Sequence, residues 1–442
     1  MPLQTVDLLV VPEWLVPVEP SGAVLTEHAL VVSEGRIVDL LPAAFAQQIY
    51  SARATLELQG RAVLPGLINT HGHAAMSLLR GLADDLPLMD WLNNHIWPAE
   101  ARHVGRDFCR TGVALACAEM LRGGQTCFND MYFFPDVTAE VVHHIGMRAT
   151  IGLIVLDFPS AWAHGADEYL SRGIEVHDQV RALADPLLQT AWAPHAPYTV
   201  SDAPLAKLRE YANEMDVPIH MHVHETADEI RQALDTDGRR PLQRLADLGV
   251  TGPDFIAVHM TQLTPEEIAQ TAEQQLSVVH CPESNLKLAS GFCPVAKLLA
   301  AGINVALGTD SAASNNDLDL WGEMRTAALL AKGIAGDATV VPAATALRMA
   351  TLNGARALGL AAETGSLQKG KSADFIAVDL RPLETQPLHD VLSQLVYATH
   401  RSQITDVWVA GRALLRDRRL TTIDTTALTA AVHSWQKRLH AD

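Results

Sequence analysis

The sequence predicts an α/β fold: a (β/α)8 TIM-like barrel with a small β-sandwich domain built from both chain termini. Three observations predict it. Eight short apolar runs alternate with helical stretches through the middle of the chain, ending near His73, Asp130, Asp157, His195, His222, His259, His280 and Asp310. The two ends share another texture, short strand candidates separated by turns. All eight run ends carry a His or an Asp, where a barrel rim built only for stability needs no ionisable group. At 442 residues the chain holds enough core material for one large domain or two.

From the N-terminus, Asp7-Leu8-Leu9-Val10-Val11, Ala29-Leu30-Val31-Val32 and Arg36-Ile37-Val38-Asp39 read as strands, with Ser33-Glu34-Gly35 as a turn. The same pattern returns in Ala373–Val378 and Val407–Arg412. Residues 1–62 together with 364–442 are therefore expected to form the small β-sandwich, and 63–363 the barrel. Helical periodicity covers Phe108 to Arg122 and Pro204 to Met215 between strands. There is no solenoid-length repeat and no low-complexity segment.

Composition removes several function classes. Hydrophobic residues make up 48% and charged residues 19%, a globular balance. No stretch approaches the roughly 18 apolar residues of a membrane helix. Met1–Asp7 lacks a basic region, so no signal peptide and a cytoplasmic location are expected. Five cysteines, an odd number without a C-x-x-C, fit reduced thiols. A net charge of −18 repels phosphate backbones, so nucleic acid is not an expected partner. Small neutral or zwitterionic substrates stay open, and so does homo-oligomerisation.

The chemistry is signalled at Thr70-His71-Gly72-His73. Two histidines one residue apart at a strand end point the same way, because side chains alternate with period two. With His222 and Asp310, His71 and His73 complete a set for one borderline cation with a position left for water. Zinc is the expected metal, although iron and manganese share such ligands. The fourth strand candidate, Leu188–His195, contains no lysine to bridge a second ion, which favours one metal. In Ile219-His220-Met221-His222-Val223-His224-Glu225-Thr226, the three histidines share one strand face. His222 is the expected ligand, with His220 and His224 as supporting groups. Glu225, three residues beyond the ligand, can reach the attacking water without gripping the metal, as a general base must. Asp310 could bind metal and accept a proton, or merely cap the next helix. His259 is ligand, core histidine or, as favoured here, an electrostatic group near the water. His195 faces the same rim as a substrate contact or a structural group. Glu100, taken alone, reads as a surface carboxylate, and Trp91 and Trp97 as core. One motif misleads: Gly365–Ser372 matches G-x-x-x-x-G-K-[ST], but a helical segment precedes it and a strand follows. That reverses the order a phosphate-binding loop needs. The expectation is a turn into the β-domain. No G-x-G-x-x-G, G-x-S-x-G, H-E-x-x-H or P-C-x-x-C occurs.

Several runs, Leu64–His73, Arg80-Gly81-Leu82-Ala83-Asp84-Asp85-Leu86, Pro194–Thr199, His222–Thr226, Pro282–Leu288 and Gly308–Asn316, resemble the metal-dependent amidohydrolase superfamily. More closely they resemble its 5-methylthioadenosine/S-adenosylhomocysteine deaminases, over nearly the whole chain. The resemblance implies metal ligation by His71, His73, His222 and Asp310. It implies substrate contacts from Glu100, to ribose hydroxyls, and from His195 and Glu225; the residues themselves give Glu225, His259 and Asp310 as the expected catalytic groups, Asp310 also meeting substrate. The implied activity is zinc-dependent hydrolytic deamination of adenosine-type nucleosides, by a hydrolase acting on C–N bonds of cyclic amidines. A guanine- or triazine-type amidohydrolase and a non-catalytic barrel acting in assembly are the alternatives. Some family members use arginines in the loop after the third strand. Here that loop, Phe158–Gly165, shows no equivalent, which leaves the 5′-substituent open.

Overall fold

The computed structural model describes residues 3–440. Its strands are β1 (Gln4–Leu15), β2 (His28–Ser33), β3 (Arg36–Pro42), β4 (Tyr50–Pro65), β5 (Leu67–Gly72), β6 (Gln125–Asp130), β7 (Arg148–Val155) and β8 (Leu188–Pro194). They continue with β9 (Ile219–Val223), β10 (Phe255–His259), β11 (Ser277–His280), β12 (Asn304–Leu307), β13 (Phe375–Asp379), β14 (Ile404–Val409), β15 (Arg412–Arg416) and β16 (Arg419–Leu420).

Strands β5 to β12 form an eight-stranded sheet in sequence order. Neighbouring strands within it pair in parallel, with helices between them, as the alternating pattern predicted. The first and last strands are bridged at the C-terminal rim. There Gly72 bridges Asp310, and the Asp310 amide donates to the His71 carbonyl at 3.2 Å. Gly308 permits that approach: a Cβ on it would lie 2.9 Å from the His71 backbone and Cβ. The barrel thus closes where two of the expected ligands stand.

The small sheet has the order β16-β15-β14-β13-β4-β1-β2-β3 and takes strands from both chain ends. It is one continuous mixed sheet, with β1 and β4 parallel and its remaining pairs antiparallel. Its two arms share an apolar cluster in which Leu30 and Ile37 join Phe375 and Trp408, these last rings stacked at 4.4 Å. Burial of this kind contributes roughly 1.5–3 kcal/mol per large side chain. β4 leads through Gly66 directly into β5, and a Cβ at Gly66 would strike Thr126. Arg148, at the start of β7, pairs with buried Asp374 at 2.9 Å and ties the barrel to the small sheet.

The final helix, Thr425–His440, lies within the segment expected to belong to the small domain. It packs instead on the barrel helix Arg106–Arg122: Trp435 meets the Phe108 ring at 5.3 Å and donates to Thr111 Oγ1. The Gly365–Ser372 segment is a turn region before β13, as its reversed order implied. Lys371 Nζ donates to the Ala361 carbonyl (2.5 Å) and Ser366 Oγ (2.8 Å) and so fastens that turn. All five cysteines are free and buried, and no helix among the described residues is long and apolar enough to cross a membrane.

Candidate active site

The structure brings His71, His73, His222 and Asp310 together, with one ligand atom from each inside a cluster no wider than 4.8 Å. Asp310 Oδ1 lies 3.3 Å from His71 Nε2 and 3.2 Å from His73 Nε2, and the Nε2 atoms of His71 and His222 are 3.1 Å apart. The opposite nitrogen of each ring is engaged: His71 Nδ1–H donates to His220 Nε2 (2.9 Å), His73 Nδ1–H to the Met131 carbonyl (2.5 Å), and His222 Nδ1–H to the His195 carbonyl (2.7 Å). Each Nε2 therefore aims a lone pair at one point, beside a carboxylate oxygen. Lone pairs so arranged repel one another unless a cation sits between them, so the donor set fits one divalent metal of the zinc type.

Burial and mutual repulsion favour the neutral form of His71 and His222, whereas the Asp310 carboxylate outweighs burial at His73 and raises it. His71 is pushed down to about 4 by burial, and His222 is held well below its ordinary value by burial and by His71. Burial alone would raise Asp310; the adjacent His71 and His73 rings overcome it and hold the carboxyl well below the carboxylate range. Asp310 Oδ2 accepts from Ser284 Oγ (2.6 Å) and Ser314 Oγ (2.8 Å), so one oxygen faces the metal point and the other is anchored. Asp310 has φ +58°, His259 φ +75° and His224 φ +54°, left-handed backbone that turns the chain at strand ends.

That turn corrects the expectation that His224 shares the face of His220 and His222. Its ring leaves the site, accepts at Nε2 from the Leu242 amide (3.1 Å) and lies 3.7 Å from Glu267. His220 supports His71 from the barrel interior. Glu225 stands beside the cluster without joining it. Its carboxylate accepts from Ser290 Oγ (3.3 Å) and lies 3.8 Å from His259 Nε2, and burial raises its pKa. Glu229 fixes its backbone, accepting from the Glu225 amide (2.7 Å) and the His224 amide (3.0 Å). His259 donates Nδ1–H to Asn285 Oδ1 (2.8 Å) and stacks on His222. The Nδ1 of His195 lies 3.2 Å from Thr199 Oγ1, and burial pushes its ring down to about 3.

Not every strand end serves this site. Asp130 accepts from the Ala74 amide (2.8 Å) and Thr138 Oγ1 (3.3 Å), at the start of the short helix Ala74–Leu79. Exposed Asp157 accepts from the Ser201 amide (2.8 Å). His280 is buried, pushed down to about 3 by burial, and its Nδ1 has no partner.

A cavity of about 310 Å³ opens over the cluster, lined by His73, His195, His222, Glu225, His259 and Asp310 at one end. Glu100 lines the other part, on the helix Trp97–His103, and accepts from the Tyr132 hydroxyl at 2.7 Å. Glu100 is only half-buried by exposed surface, yet apolar walls enclose its carboxyl and push it up to about 7. Trp91, buried in the core as its position implied, and half-buried Trp97 both line this cavity. Tyr132, Ser284, Asn285, Ser290 and Ser314 also belong to the site, with no role marked by sequence pattern alone. Asn285 and Ser284 lie inside Pro282–Leu288, and Tyr132 follows a strand end by two residues, the signals that were available.

The amidohydrolase family profile matches residues 62–414. A 5-methylthioadenosine/S-adenosylhomocysteine deaminase of Teredinibacter turnerae is 47% identical over 437 residues, 99% of this chain and 98% of that protein. The chain belongs to the amidohydrolase family, within its methylthioadenosine/S-adenosylhomocysteine deaminase branch. A 5′-deoxyadenosine deaminase of Methanosarcina mazei is 41% identical over 421 residues, covering 95% of each chain. The crystal structure of an adenosine deaminase from Xanthomonas campestris with bound zinc superposes with a TM-score of 0.98 at 54% identity, covering both chains completely. A guanine deaminase from C. acetobutylicum shares the amidohydrolase fold at TM-score 0.80 and 21% identity, over 92% of this chain and 99% of that one.

Proposed function

We propose that this amidohydrolase is a zinc-dependent deaminase of adenosine-type nucleosides, 5′-methylthioadenosine, S-adenosylhomocysteine and adenosine among them, releasing ammonia and the inosine-type product. One observation carries the reading: a single cavity joins the four-ligand cluster and Glu225 to a carboxylate, Glu100, set apart in an apolar wall. A free base has no hydroxyls for Glu100 to accept from, whereas a ribose has two.

A zinc ion bound by His71, His73, His222 and Asp310 supplies Lewis acidity that makes water a nucleophile near neutral pH. The chain's own groups do the rest. Glu225 accepts one proton from the attacking water and delivers it to the ring nitrogen beside the amino-bearing carbon. The new C–O bond forms at that carbon. His259, fixed by Asn285, turns Nε2 toward the site and orients the attacking water by accepting from it. The second water proton passes by way of Asp310 to the amino group. The C–N bond breaks and ammonia leaves with its electron pair. His195 packs on the substrate ring, and Glu100 with Tyr132 holds the ribose.

Glu225→Gln tests the mechanism. Glutamine keeps the shape but exchanges no proton at neutral pH. The variant should fold, keep its metal and bind nucleoside, while kcat falls by roughly 10²–10⁴. Loss of metal would make Glu225 a ligand. Near-native kcat in a stable, metal-loaded variant would sink the mechanism.

A further inference from the structure

We propose that the cavity wall beyond Glu100 and Tyr132 selects nucleosides with a short, uncharged, apolar 5′-substituent, a methylthio group above all, over those with a zwitterionic amino-acid tail. The inference rests on the nucleoside reading above. With the amino-bearing carbon at the metal end and the 2′- and 3′-hydroxyls on Glu100, the free edge of the ribose is its 5′ edge. The lining away from the metal end is mostly apolar and includes Leu88, Leu92, Trp97, Phe133, Phe158 and Pro159.

The cations that could serve a polar tail are missing. Ser160 lines this wall; its Oγ accepts from the Tyr169 hydroxyl (2.6 Å) and the Trp162 amide (3.0 Å), and a neutral hydroxyl supplies no charge to balance a carboxylate. Ser314 donates to Asp310. Among the described residues lining the cavity there is no lysine and no arginine, and its histidines belong to the metal end. Arg172, which follows the loop in sequence, lies over the Trp162 ring at 4.9 Å and is paired with Glu168 at 2.7 Å. Glu100, Glu225 and Asp310 make the cavity's formal side-chain charge acidic, as is the chain at −18. The α-carboxylate of a homocysteinyl tail would exchange water for a wall without a cation, which is unfavourable. A thioether gains there: Trp97 and Phe158 stand edge to face at 6.0 Å, and sulfur packs well on aromatic rings. A bare 5′-methyl keeps part of that gain. A 5′-hydroxyl gains nothing from these apolar side chains.

The test uses the full-length, metal-loaded protein with 5′-methylthioadenosine, 5′-deoxyadenosine, adenosine and S-adenosylhomocysteine, followed by ultraviolet absorbance. The expected order of kcat/KM is methylthio, deoxy, hydroxyl, homocysteinyl, with first and last separated by roughly 10- to 100-fold. The gap should sit in KM, because the tail is remote from the reacting carbon. Methylthio and homocysteinyl substrates within about threefold of each other would overturn the proposal. Phe158→Arg should raise the homocysteinyl-to-methylthio ratio about tenfold by supplying the missing cation. An unchanged ratio in an active variant would also overturn it. If all four nucleosides react equally well, only this inference fails. If none reacts, the deaminase reading itself fails.

Discussion

The two ends of the cavity are built on different principles. At the metal end each ligating histidine is fixed through its second nitrogen, and Asp310 is anchored by two serines. These groups stand on or just beyond strand ends of the barrel. At the Glu100 end one carboxylate–phenol pair sits among apolar walls supplied by helical turns between Leu88 and His103 and by the loop around Phe158. The rigid end has donors enough to define a metal and a proton path. The other end recognises by shape and by one charge. Chemistry and selectivity are therefore separable by mutation.

The largest effect should come from striking the rigid end at its centre. His71→Ala removes a ligand that no neighbour can replace, so elemental analysis should find most of the metal gone and activity with it. Retention of one tightly held ion per chain would break the contrast, and two ions in the native protein would refute the single-metal reading. Next in size is His220→Ala, which leaves all ligands in place but frees the His71 ring. Losing such a partner typically weakens metal affinity about 10- to 100-fold, measurable by competition with a chelator. Smaller again is Glu100→Ala. It should leave metal content alone and cost on the order of 1–3 kcal/mol of nucleoside binding, seen in KM. If free adenine were processed as well as its nucleosides, the ribose role of Glu100 would be abandoned.

The smallest effect sharpens the comparison through pH. The Glu100 carboxyl is pushed up to about 7 by burial, so it is neutral below that pH and ionised above it. The ionised form accepts from both ribose hydroxyls, while the neutral form spends one oxygen on its own proton. KM should therefore fall as pH rises from about 6 to about 8, and Glu100→Gln should flatten that dependence. A native KM that does not change across this window would show that the charge on Glu100 contributes nothing to recognition.

The same division explains what the sequence disclosed. His71, His73, His222 and Asp310 were legible because each ends an apolar run, and strand periodicity fixes where such residues point. The eight strands were legible for the same reason. His224 defeated that logic: its left-handed φ breaks the period of two, and nothing in the residue type announces it. Asp130, Asp157 and His280 show the opposite limit, since strand-end position alone does not separate a working group from a helix start or a buried ring. Tyr132 and Asn285 act through partners 32 and 26 residues away, a pairing that only tertiary structure creates. The placement of Thr425–His440 on the barrel escaped because a terminal helix carries no mark of which surface receives it.

Strand β4 leads through Gly66 into the strand that carries His71, and its outer edge is covered by β13, residues Phe375–Asp379. During synthesis β4 therefore leaves the ribosome long before the strand that completes its hydrogen bonding. The barrel must be carried to near completion while an apolar edge waits open, a state prone to pairing with other chains. Return of the C-terminal strands then seals that edge and steadies the root of β5, so the last part of the chain to be made secures the footing of its first metal ligands.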